Sequence, residues 1–260
     1  MSRLKIALAA LAIAALHLST IPRTIWEYDE NLFALAVEQF APLLHHPPPP
    51  GSPLHIAAAK VVALFTDPFH ALVAVSVVFT LAGFVFWVLA FRAVAGENVA
   101  LVAALFLYGC PALLVSGMLP QSDTGALALF GAAAWACAVH GTERRSFWIA
   151  PLLCALCIGW RLQFSVAIVP MFLVALVMLE SWRARVTAVA VFGVGCLLWF
   201  VPLVMATGGP GSYWHWLSGQ AAYYAAHDAD LSRSGLSPAY IALRFLAHPW
   251  GPKWLSLPLL

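Results

Sequence analysis

Residues 69–91 read FHALVAVSVVFTLAGFVFWVLAF and contain no Asp, Glu, Lys or Arg. An α-helix needs about 17–25 mainly apolar residues to cross the hydrocarbon core of a bilayer, so this stretch is long enough to span one. The rest of the chain has the same character, because 63% of its 260 residues are hydrophobic, only 9% are charged and the mean hydropathy is +0.89. Such a composition is typical of an integral membrane protein.

Six further apolar stretches predict, with residues 69–91, an all-α, polytopic transmembrane helix bundle of about seven spans. The first stretch has a basic start and an alanine-rich core, like a signal peptide, but the apolar stretches after it favour an uncleaved span. The predicted spans cover residues 6–22, 69–91, 99–115, 123–140, 147–159, 163–179 and 186–205.

Basic residues alternate between the loops as the positive-inside rule expects when the N-terminus is cytoplasmic. The cytoplasmic segments then hold Arg3, Lys5, Arg92, Arg144, Arg145, Arg183 and Arg185, whereas the short external segments hold only Arg23, Lys60 and Arg161. Most acidic residues and histidines fall on the external side. We therefore expect a multi-pass protein of the inner, cytoplasmic membrane, with any chemical site facing the periplasm or exterior.

The first external loop, residues 23–67, contains the segment WEYDENLFALAVEQFAPLLHHPPPPGSPL at 26–54. Apolar residues recur at helical spacing over residues 29–40, which predicts a helix lying in the membrane interface. Residues 54–65 are apolar but too few to span, and predict a second interfacial helix. Between them, four consecutive prolines at 47–50 predict a stiff polyproline II bridge.

Two parts of the chain differ in organisation. Residues 1–207, including loop 23–67, predict one transmembrane domain. Residues 208–260 predict an external, aromatic and polar segment, and residues 253–260 resemble the first turns of a further span. The chain is therefore expected to be a fragment of a longer protein.

Ionisable side chains beside a bilayer are costly and are functional candidates by default. The candidate catalytic carboxylates are Asp29, Glu30 and Asp123, because a carboxylate can accept a proton from a hydroxyl group. Asp29 and Asp123 together could also hold a divalent cation. Arg161 suits bidentate phosphate binding. The candidate substrate-binding histidines are His45, His46 and His55.

Each candidate also has a purely structural interpretation. Asp29 and Asp123 could cap helices, Arg161 could reach lipid headgroups, and His45 and His46 could be solvated loop residues. The chain has no GxGxxG, phosphate-loop, HExxH or GxSxG motif, which disfavours a nucleotide-binding enzyme, and we expect no nucleic-acid partner. The two acidic positions and the arginine nevertheless fall on one predicted face of the membrane.

The order of these motifs resembles the N-terminal portion of the GT-C superfamily of membrane glycosyltransferases, which includes the lipid A aminoarabinose transferases and the protein O-mannosyltransferases. The resemblance rests on a first span followed by Tyr28-Asp29-Glu30, on Pro49-Pro50-Gly51-Ser52-Pro53-Leu54, on Pro120 to Asp123, and on Gly159-Trp160-Arg161. It covers about residues 5 to 207.

The resemblance implies transfer of a sugar from a polyprenyl-phosphate donor to a lipid, glycan or protein acceptor at the external face. By match, Asp29 is the base or acceptor-positioning group, Asp123 supports the site or a cation, and Arg161 lies near the donor phosphate. Two alternatives stay open: a non-catalytic truncated homologue or membrane scaffold, and a transporter.

Overall fold

The computed structural model of the chain describes residues 3–140, 148–227, 237, 239 and 240. Within that part every regular element is a helix, and an isolated β-bridge joins Ala41 to His46. The predicted all-α fold is therefore confirmed. The helices are α1 Arg3–Ser19, α2 Tyr28–Glu38, α3 Pro53–Val62, α4 Pro68–Ala95, α5 Glu97–Tyr108, α6 Pro111–Ser116, α7 Asp123–His140, α8 Ile149–Trp160, α9 Ser165–Met178, α10 Trp182–Ala206 and α11 Pro210–His227.

The longest of these helices, α4, begins and ends where its sequence dictates. Asp67 caps it, because the Oδ1 atom of Asp67 accepts a hydrogen bond from the backbone N–H of His70 at 3.0 Å. Pro68 takes the first helical position, where a missing N–H costs nothing. At the other end Gly96 adopts a φ of +82°, a conformation that is open to glycine without steric penalty.

Two helices, α4 and α10, are long and apolar enough to cross a membrane. The other apolar helices in the described part of the chain are shorter, so the number of spans stays a prediction. The basic loop with Arg144 and Arg145, and the further span predicted at 253–260, lie outside the described residues.

The predicted third span, residues 99–115, is wrong as a single helix. Helix α5 ends at Tyr108 and α6 begins at Pro111. Cys110 between them is extended, with φ of −60° and ψ of 123°. The cause is Pro111, which has no N–H to donate and disfavours the helical conformation of the residue before it.

The polyproline II bridge predicted at 47–50 is also wrong. A polyproline II helix has no internal hydrogen bonds. Here the chain turns, because the backbone N–H of Gly51 donates to the carbonyl of Pro48 at 3.0 Å. The His46–Pro47 and Pro49–Pro50 peptide bonds are cis. The hydrogen-bonded turn ends at Gly51, and α3, which begins two residues later, packs against α2.

Helix α4 lies at the centre of the bundle and packs against α7, α5, α3 and α1. Helix α7 presents a face of small residues to α4 and α8, and this lets the helices approach closely. The approach is close at Gly83 of α4, where an added Cβ would lie 3.0 Å from the Cα of Ala128. The buried alanines of α7 are Ala126, Ala128, Ala132, Ala133 and Ala136.

The two helices predicted in loop 23–67 are present as α2 and α3, and their position in the membrane interface stays a prediction. Their apolar faces pack together and onto α4 and the end of α8. The shared core contains Phe33, Ile56, Leu72 and Trp160, all of which are buried. This packing holds the first turn of α2 beside the start of α7 and the end of α8.

Candidate functional site

A cavity of about 310 Å³ lies where the first turn of α2, the proline turn, the start of α7 and the end of α8 meet. We call it the polar cavity. It contains three of the side chains that the sequence singles out: Asp29, Asp123 and Arg161. Its full lining is Glu27, Asp29, Phe33, Pro48, Pro49, Pro50, Ser52, Ser116, Gln121, Ser122, Asp123, Arg161, Gln163 and Tyr224.

Arg161 joins the end of α8 to the start of α7. Helix α8 stops at Trp160, and Arg161 is extended, with φ of −151° and ψ of 110°. Its Nη1 atom donates to Asp123 Oδ2 at 2.8 Å and to Ser122 Oγ at 2.9 Å. The side chains of Arg161 and Asp123 are only 28% and 38% exposed, so this ion pair is partly shielded from water.

Both of these contacts use the same guanidinium nitrogen. Within the described part of the chain, no hydrogen bond occupies Nη2 or Nε of Arg161. The planar guanidinium group can therefore keep its ion pair with Asp123 and still present two N–H groups to an anion. Phosphate is the anion whose geometry fits such a pair of donors.

Asp29 and Glu27 bring carboxylates to the cavity from the other side. Asp29 lies in the first turn of α2 and is exposed. Glu27 precedes α2, and its Oε2 atom accepts a hydrogen bond from Gln121 Nε2 at 2.9 Å. That bond ties the start of α2 to the loop before α7. The sequence reasoning did not single out Glu27, although its position two residues before Asp29 was a usable signal.

Glu30, also predicted to be catalytic, does not line the cavity. Its side chain is fully buried, and Oε2 accepts the backbone N–H of Trp26 at 2.8 Å. That contact fastens the chain entering α2 to the first turn of the helix. Within the described residues, Oε1 of Glu30 has no hydrogen-bond partner. The geometry thus gives Glu30 a structural position behind the cavity wall.

The structure separates the three candidate histidines from the polar cavity. His45 ends a 3-10 turn and lines a different groove, near α11. His46 is half-buried, and its backbone pairs with Ala41. His55 is fully buried and packs its ring edge-on against Phe33 and at a tilt against Trp160, with ring centroids 5.4 and 5.5 Å apart.

His55 is neutral because of this position. Burial and, to a smaller extent, the positive charge of Arg161 together lower its pKa from 6.5 to about 3. Neither ring nitrogen has a hydrogen-bond partner among the described residues. His55 therefore acts as an aromatic packing residue in the wall that supports Trp160 and Arg161.

The side chains of the polar cavity offer few ligands for a divalent cation. Among the described residues, no group of three or more His, Cys, Asp and Glu side chains is placed to hold a metal ion. Mg²⁺ can be held by one or two carboxylates together with water, so a metal-binding role of Asp29 and Asp123 stays a prediction. Asp123 Oδ2 already pairs with Arg161, which leaves one oxygen of this carboxylate without an ion pair within the described part of the chain.

Comparison with protein-family models, with curated proteins and with solved structures finds no match to this chain. The resemblance to the GT-C superfamily therefore stays a prediction.

Proposed function

We propose that the protein is an integral membrane glycosyltransferase that moves a sugar from a polyprenyl-phosphate donor to an acceptor at the external face. One observation carries the proposal: Asp29, Asp123 and Arg161 line the same cavity, although they come from three separate parts of the chain. A carboxylate beside an anion-binding guanidinium group is what a reaction with a hydroxyl nucleophile and a phosphate leaving group requires.

The surface of the bundle supports a location in the membrane. Large aliphatic side chains point outwards along α1, α9 and α10; examples are Leu11, Val174 and Leu198, which are 64%, 63% and 72% exposed. Exposed apolar surface of this extent suits contact with lipid. A multi-pass arrangement of about seven spans with a cytoplasmic N-terminus fits the distribution of basic residues. In that arrangement the polar cavity faces the exterior.

Arg161 is the proposed binding group for the donor phosphate. As the bond between the sugar and the phosphate breaks, negative charge grows on the departing phosphate oxygen. A partly shielded guanidinium group already fixed in place stabilises that charge better than mobile water does. Asp123 and Ser122 act as positioning residues. Both accept hydrogen bonds from Nη1 of Arg161, which leaves Nη2 and Nε available to the phosphate.

Asp29 is the proposed general base. It accepts the proton of the acceptor hydroxyl while the acceptor oxygen forms a bond to the anomeric carbon. The bond from that carbon to the phosphate oxygen breaks, and the lipid phosphate leaves with the electron pair. Because attack and departure occur on opposite sides of the carbon, the anomeric configuration inverts. Glu27, already bonded to Gln121, lies at the same rim of the cavity.

The test uses the full chain in liposomes with radiolabelled polyprenyl-phosphate-linked hexoses and pentoses, each supplied with membrane lipids and glycans as acceptors. We expect donor-dependent labelling by the wild type, and a loss of about 10²-fold or more in Asp29→Asn, the scale at which a general base contributes. Glu38→Gln is the matched control, because Glu38 is an exposed carboxylate in the same helix and does not line the cavity.

Three outcomes would contradict the proposal in different ways. Equal labelling by Asp29→Asn and the wild type would remove Asp29 from the reaction. Absence of labelling with every donor would favour a non-catalytic homologue or scaffold. Accumulation of intact donor inside the liposomes, without transfer, would favour a transporter.

A further inference from the structure

A second groove, of about 710 Å³, lies between α11 and the 3-10 turn at Pro42–Leu44. We call it the α11 groove. One side comes from the loop between α2 and α3, and the other from a single face of α11. Its lining is Leu43, His45, Gly211, Ser212, His215, Trp216, Gly219, Gln220 and Tyr223.

The helical spacing explains why these residues share a face. Ser212, Trp216 and Gly219 follow one another at intervals of three and four residues, as positions on one face of an α-helix do. The space next to Gly211 and Gly219 is open, because a Cβ built at either glycine would meet nothing within 4 Å. The groove is therefore bounded by larger side chains on both sides of an uncovered strip of backbone.

The chemistry of the α11 groove differs from that of the polar cavity. Its lining has no Asp, Glu, Lys or Arg. It offers two imidazoles, a hydroxyl, an amide and the aromatic rings of Trp216 and Tyr223. Groups of this kind hydrogen-bond neutral hydroxyls and stack on apolar C–H faces. A saccharide is the class of small molecule that combines neutral hydroxyls with such faces.

Trp216 forms the buried part of the groove wall. It is only 8% exposed, yet its Nε1 has no hydrogen-bond partner among the described residues. A buried indole N–H normally finds a partner. This N–H has almost no accessible surface, so Trp216 contributes its apolar surface, and not its N–H, to the wall of the groove.

The α11 groove shares a lining residue with a cleft that borders the polar cavity. Gln220 lines the groove and also a smaller cleft of about 280 Å³. Pro49, Pro50, Gln163 and Tyr224 line both that cleft and the polar cavity. Helix α11 thus contributes to all three spaces, and a molecule bound in the groove can extend towards Asp29 and Arg161.

We propose that the α11 groove is a saccharide-binding subsite, which holds the sugar portion of the acceptor beside the polar cavity. Saccharide binding by the groove is independent of the transfer reaction; only the assignment to the acceptor rests on the proposed function. A glycan, or a lipid with a sugar headgroup, is then the acceptor class. His45, which the sequence predicts to bind substrate, belongs to this subsite.

The test measures binding of neutral sugars to the full chain in detergent by saturation-transfer difference NMR. The probes are the methyl glycosides of glucose, galactose and mannose, together with maltose, cellobiose and chitobiose. We expect saturable binding of at least one probe, at least tenfold weaker binding in Tyr223→Ala, and unchanged binding in Trp214→Ala. Trp214 is the matched control, since it is 67% exposed on α11 and does not line the groove.

A second variant tests whether weaker binding in Tyr223→Ala could come from misfolding. Gly219→Leu removes no contact and places a side chain in the open strip, so it should block binding while the thermal melting temperature stays near that of the wild type. The proposal is overturned if no probe binds saturably, or if Tyr223→Ala and Gly219→Leu both bind like the wild type.

Failure of this proposal and failure of the proposed function can be told apart. Asp29→Asn should bind the sugar probes as well as the wild type does, because Asp29 is not in the groove. Sugar binding without transfer would overturn the transferase and leave the subsite. Transfer that is unaffected by Tyr223→Ala and Gly219→Leu would overturn the assignment of the groove to the acceptor and leave the transferase.

Discussion

The polar cavity and a second, apolar cavity lie at opposite ends of the same two helices, and their linings have almost nothing in common. The polar cavity touches Asp123 at the start of α7 and Arg161 just after α8. The apolar cavity, of about 420 Å³, touches the end of α7 and the start of α8. It is lined by Cys137, Ala138, Ala150, Pro151, Pro170, Met171, Phe172, Val174, Ala175, Leu176, Met178, Leu179 and Ala188.

The difference teaches that the lining of a cavity, and not its size, carries functional information in this chain. Only 9% of the residues are charged, and placing charged groups beside a bilayer is costly. The chain nevertheless gathers three carboxylates, of Glu27, Asp29 and Asp123, and the guanidinium group of Arg161 at one end of α7 and α8. At the other end it leaves a space that any aliphatic group can fill.

The largest effect is expected from removing the positive charge of Arg161 from the polar cavity. Arg161→Gln should lower transfer by about 10²–10³-fold, the scale seen when one preorganised donor to a developing negative charge is lost. Arg161→Lys should be intermediate, because an ammonium group keeps the charge but not the planar pair of donors. Initial rates of donor-dependent labelling in liposomes measure both.

Ala175→Leu is the matched change in the apolar cavity, where the longer side chain fills empty space. It should leave the transfer rate within about twofold of the wild type, a change of under ~0.5 kcal/mol. Equal losses in Arg161→Gln and Ala175→Leu would mean that transfer depends on the integrity of the bundle and not on the polar cavity.

A smaller effect is expected from His55, which supports the wall of the polar cavity. Its pKa in the folded protein is about 3, below the ordinary value of 6.5, so the unfolded chain binds a proton that the folded chain does not. Stability should therefore be unaffected above pH 6.5 and fall as the pH drops from 6.5 towards 3. The slope is about 1.4 kcal/mol per pH unit for one such group.

His55→Phe retains an aromatic ring between Phe33 and Trp160 and removes this titration. Between pH 7.5 and 5, the wild type should lose about 2 kcal/mol more stability than the variant does. Thermal melting of both proteins in detergent, at matched ionic strength, measures the difference. Parallel pH profiles would show that His55 is not held neutral by burial.

Much of this arrangement could be predicted from the sequence. Alternation of basic residues between loops assigned Asp29, Asp123 and Arg161 to one face, and the three line one cavity. Helical periodicity found α2 and α3 within a few residues of their ends. These features depend on composition and local spacing, which a sequence displays directly.

The predictions that the structure corrects depended on the rotation of residues about a helix axis and on loop geometry. Asp29 and Glu30 are adjacent, yet about 100° of rotation separates neighbouring residues on a helix. That rotation leaves Asp29 at the cavity and Glu30 fully buried. The periodicity of α2 could not decide between them, because its polar and apolar faces differ only weakly. Likewise, the prediction of an extended proline run overlooked the Pro50-Gly51 pair, which is a local turn signal.

The most direct test of the central claim is photo-crosslinking of a diazirine-bearing polyprenyl phosphate to the full chain in liposomes, with the modified peptides located by mass spectrometry. The account predicts crosslinks at Pro49, Gln163 and Tyr224, around the polar cavity. Unlabelled polyprenyl phosphate should suppress them, and Arg161→Gln should abolish them. Crosslinks confined to Met171 and Met178 of the apolar cavity, and unchanged in Arg161→Gln, would contradict it.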